Sequence, residues 1–181
     1  MTKKIFTLSN LLSLSRIALL IPVLGVLLLT TWPHKRLYAI LIIMLGMVTD
    51  ALDGYFARKF NEVSELGKII DPLADKICVA AIIVMLAAMG DIPLWYMIVV
   101  IARDIVIFLG GVYVKQKKGI VLASTMPGKV AVVFIALTLV FALMGNPAFA
   151  VIVQLCLWLS IIAMAVSMAV YGKRFYDVLK Q

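Results

Sequence analysis

Six stretches of mostly apolar residues, each about the twenty residues a helix needs to cross hydrocarbon, constrain this chain more than any other feature. They run over roughly 11–32, 37–58, 68–89, 92–114, 127–145 and 148–171. A soluble domain cannot hide so much apolar surface: 65% of the 181 residues are hydrophobic and only 14% are charged. In lipid each spanning segment must satisfy its own backbone N–H and C=O groups, which makes the spans helices. The expected fold is therefore all-α, an integral membrane bundle of six transmembrane helices forming a single domain over residues 1–181. Between Lys3 and Ser15 the apolar Ile5, Phe6, Leu8, Leu11 and Leu12 alternate with polar residues, which predicts a short N-terminal interfacial helix. Asn10, Ser13, Ser15 and Arg16 interrupt this opening and no small-x-small site ends it, so it reads as a retained span rather than a signal peptide.

Turn chemistry separates the spans: Trp32-Pro33-His34-Lys35, Asn61 to Ser64, Gly90-Asp91-Ile92-Pro93, Lys117-Lys118-Gly119 and Gly145-Asn146-Pro147. Lysine and arginine collect at Lys3 and Lys4, at Arg58, Lys59 and Lys68, at Lys115, Lys117 and Lys118, and at Lys173, Arg174 and Lys180. The positive-inside rule then puts both termini in the cytoplasm; Lys35 and Arg36 alone run against the pattern. The net charge of +8 lies in short loops rather than on one patch. That excludes nucleic acid as a partner and suits anionic membrane lipids. Cys78 and Cys156 fall inside apolar segments with no ligand neighbours, as small core residues do. His34 sits in a polar loop. Trp32, Trp95, Tyr96 and Trp158 read as lipid contacts, core packing or interface anchors.

Four of the nine acidic residues stand where a membrane protein should have none: Asp50, Asp53, Asp71 and Asp75, in or beside the second and third spans. Each ionised carboxylate in hydrocarbon costs at least about 2.5–3.5 kcal/mol, and four together repel one another. A bound divalent cation compensates both terms. Asp50, Asp53, Gly54 and Ala57 follow i, i+3, i+4, i+7, one stripe of a helix; Gly67, Asp71 and Asp75 follow i, i+4, i+8, one stripe of the next. A short connection makes the two helices antiparallel neighbours, with both stripes near the cytoplasmic end. Oxygen donors facing one another beside two glycines make a hard-cation site with room for a phosphate-bearing ligand. Taken singly, each acid has a plainer reading as the partner of Arg58, Lys68 or Lys76, and Gly54 and Ala57 as ordinary helix contacts. All of them together at these spacings favour the site.

These residues read Asp50-x2-Asp53-Gly54-x2-Ala57-Arg58, eight residues, Gly67-x3-Asp71-x3-Asp75. The pattern resembles the signature of the CDP-alcohol phosphotransferase (phosphatidyltransferase) family at every fixed position, and the size and six-span plan are similar too. The resemblance implies a homodimer in the membrane, with a cytoplasm-facing site holding two divalent ions, Mg²⁺ or Mn²⁺. Asp50, Asp53, Asp71 and Asp75 would be the metal ligands, and Asp75 the catalytic base for the attacking hydroxyl. Asp50, Gly54, Ala57, Arg58 and Gly67 would line the CDP pocket, where small residues admit the nucleotide and Arg58 faces its phosphates.

Within that family, Asn10-Leu11-Leu12-x3-Arg16, the run Gly67-Lys68-x2-Asp71-Pro72-Leu73-Ala74-Asp75-Lys76 and the short chain are similar to bacterial phosphatidylglycerophosphate synthases. These join CDP-diacylglycerol to glycerol 3-phosphate, which implies a bacterial inner-membrane location. A phosphorylated acceptor needs further cations; Arg103, inside the fourth span, and Lys129, after Pro127-Gly128, are the candidates. The plainer readings are an ion pair for Arg103 and a positive-inside anchor for Lys129. Asp104 is an awkward partner for Arg103 because adjacent helical residues point different ways. Ser124 to Ala131 lacks a lysine and a threonine common in those synthases, and Asp104 stands where they often have Glu. The Arg103-Asp104 pair resembles instead the cardiolipin synthases of the same family, whose acceptor is phosphatidylglycerol. A small ion-coupled transporter is the alternative from another class, but it predicts inverted repeats, and the acids here are confined to one half.

Overall fold

The computed structural model describes residues 8–29, 31–59, 67–119 and 125–180; within these, the side chains of 8–17, 47, 49–59, 67–73 and 179 are not described. Every regular element among the described residues is helical: α1 (Leu8–Leu29), α2 (Lys35–Lys59), α3 (Gly67–Ala88), α4 (Leu94–Lys118), α5 (Met126–Met144) and α6 (Ala150–Lys180), with a 3-10 turn at Pro147–Phe149. Among the described residues, Leu94–Lys118, Met126–Met144 and Pro147–Val178 are long and apolar enough to cross a membrane. Their large apolar side chains stay exposed, Leu109, Val133, Val151 and Ile162 among them, which water would not tolerate on this scale and lipid does. The protein is an all-helical membrane protein. Its longest helix, α6, extends about 46 Å at 1.5 Å per residue, more than the hydrocarbon thickness of about 30 Å. The end that carries Lys173, Arg174 and Lys180 therefore reaches beyond the apolar layer.

Helix ends follow the local chemistry. Gly119 (φ 69°) ends α4 and Gly145 (φ 61°) ends α5, each in the left-handed region that glycine enters without a Cβ penalty. Lys115, Lys117 and Lys118 occupy the last turn of α4 rather than a loop, where cations meet the negative end of the helix dipole. α1 is described as far as Leu29 and does not include Trp32, and Lys35 Nζ donates to the Leu27 carbonyl at 2.9 Å. One of the two cations that break the charge pattern thus satisfies a carbonyl that α1 leaves open. A separate interfacial helix does not appear over 8–15: α1 runs unbroken from Leu8, because nothing before the tolerated Pro22 interrupts helical hydrogen bonding. The earlier residues of that expectation lie outside the described ones.

The helices gather in two compact units, Met1–Met85 and Leu86–Gln181. In the first, α1 packs on α2, and a Cβ at Gly46 would come 2.8 Å from Leu19 Cδ1. Glycine sets that close approach. In the second, α6 packs along both α5 and α4. Tyr96 Oη and Ser160 Oγ lie 2.8 Å apart, and Arg103 Nη2 donates to Ser167 Oγ at 3.2 Å. Each pair joins residues 64 apart, and the two pairs are one heptad apart on both helices, so α4 and α6 run in the same direction and in register. Trp95 and Trp158, 5.8 Å apart between ring centroids, flank the first of these rungs, while Tyr96 itself is wholly buried.

Candidate functional site

The acid motif lies on two helices. Asp50, Asp53, Gly54, Ala57 and Arg58 are in the last turns of α2, and Gly67, Asp71 and Asp75 are in the first turns of α3. The backbone is helical throughout both stretches, so the i, i+3 and i, i+4 spacings translate into positions within one turn. The side chains of Asp50, Asp53, Ala57, Arg58 and Asp71 lie outside the described residues, as does the connection 60–66, and so does the facing of the two stripes. Asp75 is described and is exposed, next to the wholly buried Ala74. Its side chain is therefore not packed into the core. The donor set is all oxygen, which fits a hard divalent cation and not a thiophilic one.

The second constellation is built on α4, α5 and α6. Arg103, in the middle of α4, keeps only 9% of its side chain exposed. Its Nη1 lies 2.7 Å from Asp104 Oδ1, and its Nη2 donates to the fully buried Ser167 Oγ. Its Nε is buried and has no protein acceptor among the described residues. The Asp104 pairing corrects the argument from sequence adjacency. An arginine stem has enough rotatable bonds to fold its head back over a neighbour, even though the two Cβ atoms diverge.

The start of α5 closes this constellation. Thr125, buried and in extended conformation, caps the helix by accepting the Gly128 N–H at 3.2 Å, with Pro127 in the first turn. A Cβ on Gly128 would stand 3.1 Å from Thr125 Oγ1, 3.2 Å from Ser167 Oγ and 3.6 Å from Arg103 Nη2. The guanidinium therefore lies against the first turn of α5, beside the residue that precedes Lys129. Lys129 is exposed, and its backbone N–H bonds to the Thr125 carbonyl at 3.1 Å. A lysine in the first turn opposes the helix dipole, so helix stability does not explain it. Guanidinium, ammonium and helix N-terminus all favour a bound anion.

Thr125, Gly128 and Ser167 escaped the reading of the sequence. The available signal was a match of spacings: Tyr96 and Arg103 are seven apart in one apolar helix, and Ser160 and Ser167 are seven apart in another.

Comparison with known proteins follows the acid motif. Residues 6–170 match the family described as CDP-alcohol phosphatidyltransferase. The CDP-diacylglycerol–glycerol-3-phosphate 3-phosphatidyltransferase of Bacillus subtilis is 31% identical over 191 aligned positions, covering 97% of this chain and 98% of the relative. The protein of that name in Rickettsia bellii is 37% identical over 100 positions, 55% of each chain. The CMP-forming cardiolipin synthase of Streptomyces coelicolor is 34% identical over 105 positions, 57% of this chain and 49% of its own.

Proposed function

Since the chain belongs to the CDP-alcohol phosphatidyltransferase family, and is thereby an enzyme of phospholipid synthesis, we propose that it transfers the phosphatidyl group of CDP-diacylglycerol to glycerol 3-phosphate. The products are phosphatidylglycerophosphate and CMP. The observation that carries this acceptor is the alignment with the Bacillus subtilis enzyme along 97% of this chain and 98% of that one. Membership of an enzyme family also sets the transporter reading aside.

In the proposed reaction the acceptor hydroxyl oxygen attacks the phosphorus that bears diacylglycerol. The bond from that phosphorus to the CMP oxygen breaks, CMP leaves with the electron pair, and the hydroxyl proton passes to Asp75. The exposure of Asp75 on α3 supports this role. An ionised carboxylate is a weak base, and it compensates by being held at the reacting oxygen. Asp50, Asp53, Asp71 and Asp75 would together hold two Mg²⁺ or Mn²⁺ ions. When bound, such ions neutralise the pyrophosphate and ease the departure of CMP. Asp50, Gly54, Ala57, Arg58 and Gly67 bind the CDP moiety, and Arg103 and Lys129 receive the phosphate of the acceptor.

The whole chain acts as one membrane domain of six spans, as a homodimer in the bacterial inner membrane with the site facing the cytoplasm. The common direction of α4 and α6 and the basic last turn of α4 support that topology.

The test is a turnover assay on detergent-purified protein with CDP-diacylglycerol, Mg²⁺ and a panel of acceptors, scoring CMP and the lipid product. Release of CMP with glycerol 3-phosphate, giving phosphatidylglycerophosphate, is expected. Turnover with phosphatidylglycerol alone would establish the second reading, a cardiolipin synthase, which Asp104 and the Streptomyces coelicolor match favour.

A further inference from the structure

We propose that Ser167 is a positioning residue for the acceptor: wedged between Arg103 and the first turn of α5, its hydroxyl fixes the guanidinium that receives the acceptor's phosphate. This rests on the assignment of Arg103 to the acceptor given above. Groups from three helices meet at this point. Ser167 of α6 is fully buried and accepts from Arg103 Nη2 at 3.2 Å. A methyl group on Gly128 of α5 would crowd Ser167 Oγ at 3.2 Å and Thr125 Oγ1 at 3.1 Å, beside the guanidinium at 3.6 Å. Asp104 holds Nη1 from the other side at 2.7 Å.

The neighbouring rung of the same seam shows what packing alone requires. There Tyr96 and Ser160 join α4 to α6 through two neutral hydroxyls, both wholly buried. One heptad further on, the seam uses a cation in the middle of an apolar helix, which is a far costlier choice. That cation keeps donors in reserve: of its five N–H groups, the described contacts use one on each terminal nitrogen, and Nε has no acceptor among the described residues. A guanidinium recognises phosphate through a planar fork, so its plane must be set before the ligand arrives. Ser167 sets it.

Michaelis parameters for glycerol 3-phosphate and for CDP-diacylglycerol, measured separately on the full chain in detergent, test this. Ser167→Ala should raise the glycerol 3-phosphate KM about tenfold, the weight of one hydrogen bond to a charged group. The turnover number and the KM for CDP-diacylglycerol should stay within about twofold of the parent. Ser167→Thr, which keeps the hydroxyl, should restore most of the affinity. Ser160→Ala should lower the melting temperature and leave the acceptor KM in place. In an Arg103→Ala background, Ser167→Ala should add nothing.

If Arg103→Ala raises the acceptor KM and Ser167→Ala does not, the positioning role is overturned and the acceptor reading stands. Equal shifts in both substrates' KM values would likewise reduce Ser167 to packing. If Arg103→Ala leaves the acceptor KM unchanged, the acceptor reading fails and this proposal with it. Should Ser167→Ala not fold, Gly128→Ala presses on the same hydroxyl from the α5 side. It should raise the acceptor KM alone, and no selective change there would also overturn the proposal.

Discussion

Removing Asp104 should destabilise the protein more than removing Arg103, although the two form one ion pair. Asp104→Ala leaves a guanidinium with 9% of its side chain exposed and only Ser167 as a described partner. Stranding one member of an enclosed pair costs about 3–5 kcal/mol. Asp104 is 27% exposed, so water reaches the space it vacates and lowers the cost to about 2–3 kcal/mol. Arg103→Met keeps the apolar stem and removes the charge. What it leaves is a carboxylate that is more open to water and has a further contact besides Arg103, and a Ser167 hydroxyl that loses one bond, together about 1 kcal/mol. The double variant Arg103→Met, Asp104→Ala should then be more stable than Asp104→Ala alone, since no buried charge remains. Reversible unfolding in mixed micelles with increasing dodecyl sulfate, followed by helical circular dichroism, gives the three free energies on one scale. If Arg103→Met costs as much as Asp104→Ala, or if the two effects simply add, the guanidinium is not a charge held in place against its own desolvation.

Asp75→Asn should cut transfer about a hundred- to ten-thousandfold, the usual range for loss of a general base, while CDP-diacylglycerol binding stays measurable by equilibrium dialysis. Undiminished transfer by this variant would remove Asp75 from the chemistry. Activity should vanish on exhaustive chelation, return with Mg²⁺ or Mn²⁺, and survive the Cys78→Ser, Cys156→Ser double substitution, because the proposed ligands are all oxygen. Full turnover after chelation would sink the metal assignment. In that double-Ser background, a Lys117→Cys variant should label from the cytoplasm and an Asn146→Cys variant from the far side of intact cells. Labelling of both from one side would overturn the six-span topology.

The helices were legible because their ends are written locally. The breaks named from Gly90, Gly119 and Gly145 are where the chain adopts positive φ, at 79°, 69° and 61°. Apolar runs of spanning length needed no tertiary information either. The acid stripes were legible as spacings, since Asp50 to Asp53 and Asp71 to Asp75 are one turn apart in any helix. How α2 faces α3 was not, because that depends on packing between helices rather than on period. The same limit explains Lys35, which looked like a stray loop cation and instead holds the Leu27 carbonyl across a turn. It explains Ser167 most directly: a serine in an apolar helix has no evident partner until the helix 64 residues earlier lies beside it in register.

The division between the two proposed acceptor cations follows from their burial. Arg103 carries its guanidinium with nine tenths of its side chain enclosed. Its fixed plane lets Asp104 and Ser167 hold two corners while other donors remain for a ligand. Lys129 is exposed at the start of α5 and needs no such support. A flexible, strongly hydrated ammonium suits a position where the ligand arrives from water. Exchange should therefore be asymmetric. Arg103→Lys loses the planar fork and the described bonds at both ends, so it should behave nearly like Arg103→Ala toward glycerol 3-phosphate. Lys129→Arg keeps the charge in solvent and should stay within about threefold of the parent. Equal tolerance at the two positions would mean that charge alone, and not the held plane of Arg103, recognises the acceptor.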